Sequence, residues 1–89
     1  MKKKDKIEYL YTIDNIDNIA HSNITVAFDL SSTRSGWCIV SEDNNVIFAQ
    51  SFVLHSNEII EKFSILENIF LPNLEHTLNL VDHKNAEFI

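Results

Sequence analysis

The stretch Val26–Val40, VAFDLSSTRSGWCIV, carries the decision about the fold. An apolar run that begins at Ile24 stops at Asp29, passes through hydroxyls and Arg34, and resumes after Gly36, the sole glycine in 89 residues. A strand buried on both faces reads as a continuous apolar run, so Ile24–Leu30 is expected to be an interior strand. A carboxylate inside such a strand is costly unless a partner or a metal compensates it. Asp29 is therefore either a strand-end residue facing water or part of a site. On the first reading its carboxylate caps the following turn through the amides near Ser31 and Ser32.

Working outward, Trp37–Ser41 and Val46–Leu54 read as two further strands, joined by the hairpin residues EDNN. Short links make an antiparallel meander the economical arrangement. Then the period changes. Ile59, Phe63, Leu66, Phe70, Leu74, Leu78 and Val81 advance by three or four, which is one helical face. Ser56 or Asn57 is placed to cap that helix, and Pro72 predicts an end or a kink near Leu71. The closing DHKNAEFI reads as a turn and the first residues of another element. Residues 1–22 read as an irregular leader, since their Asp and Asn residues favour turns, with Ile13, Ile16 and Ile19 allowing one short amphipathic turn. Residues 23–89 then form the one small domain that this length permits.

An apolar share of 45% is ordinary for a globular chain. One cysteine, Cys38, excludes an internal disulfide and reads as a small core residue. No apolar run approaches the roughly 18 residues of a membrane span, and MKKKDKIEYLY has no signal-peptide core, so the expected location is the cytoplasm. The net charge of −6 argues against gripping nucleic acid by charge alone. An acidic chain meets nucleic acid through metal ions or a localised basic region. His21, His55, His76 and His83 show no metal-ligand spacing.

A meander followed by a helix and the start of another strand resembles the opening of the ribonuclease-H-like fold. Within it, Asp29, Ser32, Ser35, Gly36, Trp37 and the inward Ile39 resemble the opening motif of RuvC-type Holliday-junction resolvases, in particular their phage-like relatives. The fold class so implied is α/β, ribonuclease-H-like, a three-stranded antiparallel meander followed by a helix, present as the amino-terminal part of an incomplete fold. The resemblance implies an endonuclease acting on branched or double-stranded DNA, with Mg²⁺ or Mn²⁺ as cofactor, and homodimers. It makes Asp29 the first metal ligand and a catalytic residue. Two-metal hydrolysis needs several carboxylates around ions about 4 Å apart. The family's second acid ends the fourth strand, and Glu87 stands too early for it, so the chain is expected to be inactive as given.

The same residues have plainer readings. Ser32, Thr33 and Ser35 are turn formers or phosphate contacts, and Arg34 is a solvated side chain or a phosphate contact. Trp37 is offered to the core or to a base. Gly36 is expected to serve a positive φ or a close approach. Two rival classes stand beside the nuclease. Actin-like ATPases and sugar kinases open similarly but usually carry a glycine where this chain has Leu30 and Ser31. A non-catalytic ribonuclease-H-like interaction module needs no further acids.

Overall fold

Burial alternates from Ile24 to Val26 and all along Arg34–Ser41, and that alternation builds the sheet, whereas within Val46–Leu54 the adjacent Ile47 and Phe48 are both buried. The computed structural model describes residues 6–31 and 33–89. Five strands, β1 (Ile7–Asp14), β2 (His21–Asp29), β3 (Arg34–Ser41), β4 (Val46–Leu54) and β5 (His83–Phe88), form one mixed sheet in the order β1-β4-β3-β2-β5. β2, β3 and β4 pair antiparallel in succession, β1 pairs antiparallel with β4, and β5 runs parallel to β2. Ile24, Val26, Trp37, Ile39, Phe48 and Phe52 point to one face, where the helical layer covers them. The result is a small α/β domain with a five-stranded sheet and one helical layer.

The β3–β4 link is the EDNN turn. Asn44 takes a positive φ of 64°, which asparagine tolerates, and its amide donates to the Ser41 carbonyl at 3.0 Å. Beside this hairpin, Glu42 accepts the amides of Asn23 (3.1 Å) and Ser22 (3.4 Å), fastening the start of β2. The Asn23 amide, then its own backbone amide, hold the Glu42 carboxyl below the usual glutamate value.

The expectation of an irregular leader is corrected for residues 7–14, which form edge strand β1. Ile7, Tyr9, Tyr11, Thr12 and Ile13 are strand-favouring residues, and β4 offers them an unpaired edge. The His55 amide donates to the Lys6 carbonyl (2.7 Å), the Asn15 amide to that of Ile47 (2.8 Å), and His55 Nε2 lies 2.7 Å from Glu8 Oε1. Residues 15–20 are irregular, with the amides of Ile16 and Ile19 held by the carboxylates of Asp14 and Asp17, so no amphipathic turn forms there. Met1–Asp5 lie outside the described residues.

The helical layer comprises α1 (Ile59–Ile65), a π-helical turn (Leu66–Phe70) and α2 (Leu71–Leu80). Glu58, rather than Ser56 or Asn57, occupies the N-cap position, while the Ser56 hydroxyl accepts the Glu58 amide at 3.1 Å. The expected stripe fails in its first two turns: Ile59 and Phe63 are exposed and Ile65 is buried instead. Buried positions run Ile65, Phe70, Leu74, Thr77 and Val81. The first step, five residues, is the π turn, which shifts the inward face by one residue. Pro72 falls where the hydrogen-bond pattern is reset: the Leu71 amide donates five residues back to Leu66, and Pro72 lies in the first turn of α2. No helix is long and apolar enough to cross a membrane among the described residues.

Gln50, on the covered face of β4, latches the layers together. Its Oε1 accepts from Trp37 Nε1 (3.2 Å) and from Asn73 Nδ2 of α2 (3.3 Å). Phe52 is wholly buried, 4.8 Å from the Phe70 ring centroid and 6.3 Å from that of Tyr9. Phe52→Ala should lower the unfolding free energy by about 3–5 kcal/mol, read from the urea midpoint at constant slope. Glu42 supplies a pH signature. Its lowered folded value means that it stabilises above the ordinary glutamate range and that this is lost as pH falls through the lowered value. The parent should therefore lose stability relative to Glu42→Gln over that interval, and equal acid profiles would show that Glu42 does not fasten β2.

Candidate functional site on the uncovered face

Strand parity sets the site. Ile24 and Val26 point to the helix, so Asp29, an odd number of residues on, points to the opposite face at the end of β2. Register then aligns residues of four strands into a row: Asp29 pairs with Gly36, Gly36 with Ser51, and Ser51 with Tyr11. At about 4.8 Å per strand, this row spans about 14 Å. Beside it Ala27, Cys38 and Ala49 form a floor of small side chains. Together they line a shallow depression of about 310 Å³.

Gly36 has neither role expected for it. Its φ is not positive, and a Cβ there meets Gln50 O at 3.5 Å, an ordinary contact. Its effect is to leave bare ground across the strand from the Asp29 carboxylate. Tyr11 was missed by sequence reasoning because a register shift between Tyr9 and Tyr11 turns the chain over. That bulge keeps Tyr9 against Phe52, where burial raises its phenol above the ordinary value, and sends Tyr11 to the uncovered face. Tyr11 is 64% exposed.

The turn before β3 is held by serines. The Ser31 hydroxyl accepts the amides of Thr33 (3.3 Å) and Arg34 (3.0 Å) and donates to the Arg34 carbonyl. Ser35 Oγ accepts the Ser31 amide (3.0 Å) and donates to its carbonyl (3.2 Å). No hydrogen bond reaches the Asp29 carboxylate among the described residues: the Ser31 amide that the plainer reading gave to it goes to Ser35, and the Thr33 and Arg34 amides go to Ser31. Ser35 is buried in this lock, which removes it from contact with a nucleic acid. Ser32 lies outside the described residues.

Trp37 is 3% exposed, its ring 5.0 Å from Phe48 and 6.0 Å from Phe70, so it is a core residue and offers no face to a base. Arg34 is exposed, shares the uncovered face with Gly36, and has no ion pair among the described residues. Of the residues singled out in the sequence, the structure brings Asp29, Arg34 and Gly36 together on that face and sends Ser35 and Trp37 inward.

The residues present do not fit a two-metal centre. No three His, Cys, Asp or Glu side chains converge among the described residues. Glu87 pairs with Thr25, four places from Asp29 along β2, or about 13 Å. The larger depression, about 580 Å³, lies at the other end of the sheet, lined among others by Asp17, His21, Glu42 and Asp43. Its size does not make it the better site, because Glu42 is spent on the β2 amides. Compared with known proteins, the chain matches no family model, no curated protein and no solved structure.

If Asp29 is unpartnered, Asp29→Ala should change stability by less than about 0.5 kcal/mol, whereas a capping role would cost about 1 kcal/mol. Ser35→Ala, which leaves the buried end of the turn unsatisfied, should cost about 1–3 kcal/mol. Denaturant unfolding of the two variants side by side separates these assignments.

Proposed function

We propose that this chain is the amino-terminal part of a ribonuclease-H-like nuclease module of the RuvC resolvase type, acting on branched or double-stranded DNA. The carrying observation is Asp29: a strand-end carboxylate on the uncovered face, without a partner among the described residues and facing bare backbone at Gly36. The strand order supports it, since the helix returns the chain to β5 beside β2 and parallel to it. In this reading Asp29 is a catalytic and metal-binding residue, Arg34 meets a backbone phosphate, and Tyr11 takes the base-stacking role that Trp37 is too buried to fill. Mg²⁺ or Mn²⁺ belongs to the complete domain, because a single carboxylate holds Mg²⁺ poorly.

On this reading the next ligand is expected on β5. Phe88 stands opposite Val26, so the neighbour of Asp29 on the same face falls two residues past Ile89 in a longer chain. An acid there, with others supplied further on, completes the site. A non-catalytic interaction module is the second reading, favoured by the absence of a converging acid cluster among the described residues.

The test is a four-way junction cleavage assay. The 89-residue chain should leave the junction uncut and bind Mg²⁺ weakly. A version extended to carry the later acids should cut it, and Asp29→Asn in that version should lower the rate by at least about a thousandfold while leaving the circular dichroism spectrum unchanged. An Asp29→Asn variant that cuts as fast as its parent sinks the nuclease assignment, and an extended protein that binds junctions without cutting them favours the interaction module.

A further inference from the structure

The amino-terminal end of the helical layer carries bulky side chains that the sheet does not cover. Ile59, Ile60 and Phe63 of α1 are 68%, 80% and 63% exposed, although the same layer buries Ile65 and Phe70. At about 3.6 residues per turn the three fall within about 100° of arc and about 6 Å of the axis, so they make one projecting patch. We propose that this patch enters the surface of a lipid bilayer rich in anionic headgroups and holds the chain on the membrane without spanning it. This goes beyond the nuclease reading and does not depend on it.

Charge favours the same end of the molecule. Ile7 pairs with Leu54 and Arg34 with Val53, so β1 and β3 both start where β4 hands the chain to α1. Lys6 is tied there twice: its carbonyl accepts the His55 amide (2.7 Å), and its Nζ lies 2.9 Å from Glu61 Oε1. Lys62 flanks the patch on α1, and Lys2, Lys3 and Lys4 closely precede Lys6 in the sequence. Lys84 completes the seven Lys and Arg residues, and it lies at the opposite end of the sheet, where β5 starts beside His21. Asp14, Asp17, Glu42, Asp43 and Asp82 gather at that opposite end. An anionic surface therefore attracts one end and repels the other. Glu8, Asp29, Glu58 and Glu61 temper the cationic end, so charge orients the molecule and apolar contact supplies most of the attachment.

Size separates a bilayer from a protein partner. Three side chains fall well short of the roughly 800 Å² that a stable protein interface buries on each side. They match a bilayer, where apolar side chains reach about 5–10 Å into the boundary between headgroups and acyl chains. Glu67, one turn beyond Phe63, ends the apolar stretch, so the first turns of the layer are the part that enters. The lysines of this end can then lay their stems along the acyl region while their ammonium groups stay among the headgroup phosphates.

Co-sedimentation of the full 89-residue chain with large vesicles tests this. The chain should bind vesicles containing about one-third phosphatidylserine at least about tenfold more tightly than vesicles of phosphatidylcholine alone. Ile60→Asp should weaken that binding at least about tenfold while keeping the parent's circular dichroism and urea midpoint, because it replaces an exposed side chain. Leu80→Asp puts the same charge on an exposed leucine at the far end of the layer and should leave binding unchanged. A parent that ignores both vesicles, or binds them equally, overturns the proposal. So does an Ile60→Asp variant that binds like its parent, or a folded Leu80→Asp variant that binds as poorly as Ile60→Asp. Self-association that Ile60→Asp abolishes, with no vesicle bound, gives the patch to a second copy and overturns it too.

Discussion

One constraint organises the molecule: side chains of a strand alternate, and the helical layer covers one face of the sheet. Once Ile24 and Val26 are committed to the core, Asp29 has no choice but the far face. The same rule sends Trp37 and Ile39 inward and leaves Gly36 and Cys38 outward on β3. A one-residue slip in the β2–β3 register would either bury the carboxylate by turning β2 over or expose the tryptophan by turning β3 over, and either change is costly. The hydrophobic pattern thus aims the candidate site without any interaction specific to it.

Much of this was legible in the sequence because it rests on local period. The β2–β3–β4 meander, the EDNN turn and the position of Asp29 at a strand end follow from alternation and turn chemistry. Strand β1 was not legible. Asp14, Asn15, Asp17 and Asn18 signal turns, and their weight masked a strand-favouring run whose pairing partner, β4, lies some forty residues downstream. The π turn was hidden for a similar reason. A five-residue step between Ile65 and Phe70 looks like an ordinary helical stripe if Leu66 is taken as the inward residue.

The site itself was half legible. Asp29 and Arg34 stand out as polar residues interrupting an apolar run, and both reach the uncovered face. Ser35 and Trp37 carry the same sequence signal and go inward, because parity over the turn, rather than residue type, decides their side. Tyr11 had no signal at all: only the bulge in β1 turns its ring over, and a bulge is fixed by pairing with β4. The role of Gly36 is not the one its sequence suggests. A lone glycine suggests backbone strain, yet here the missing side chain matters and the backbone is ordinary.

The two exposed apolar regions differ in kind, and the difference follows from where the helix lies. The uncovered face is floored by Ala27, Cys38 and Ala49, whose small side chains present little area to water and let a partner's backbone or a flat ring approach closely. On the helix side beyond β2, large side chains remain exposed instead: Leu30, Leu71 and Phe88, with Phe28 partly buried among them. There the helix is anchored over β3 and β4 through Phe70 and the Gln50 oxygen, and Ala86 of β5 packs against the core while Phe88 stays exposed. A face of small residues can stay wet at low cost and serve a transient ligand. An edge of large rings gains most from being covered, because each exposed ring forgoes burial of order 150–250 Å². The sheet thereby separates an open surface of small side chains from an exposed group of large ones, and the parity of β2 sets the two on opposite faces.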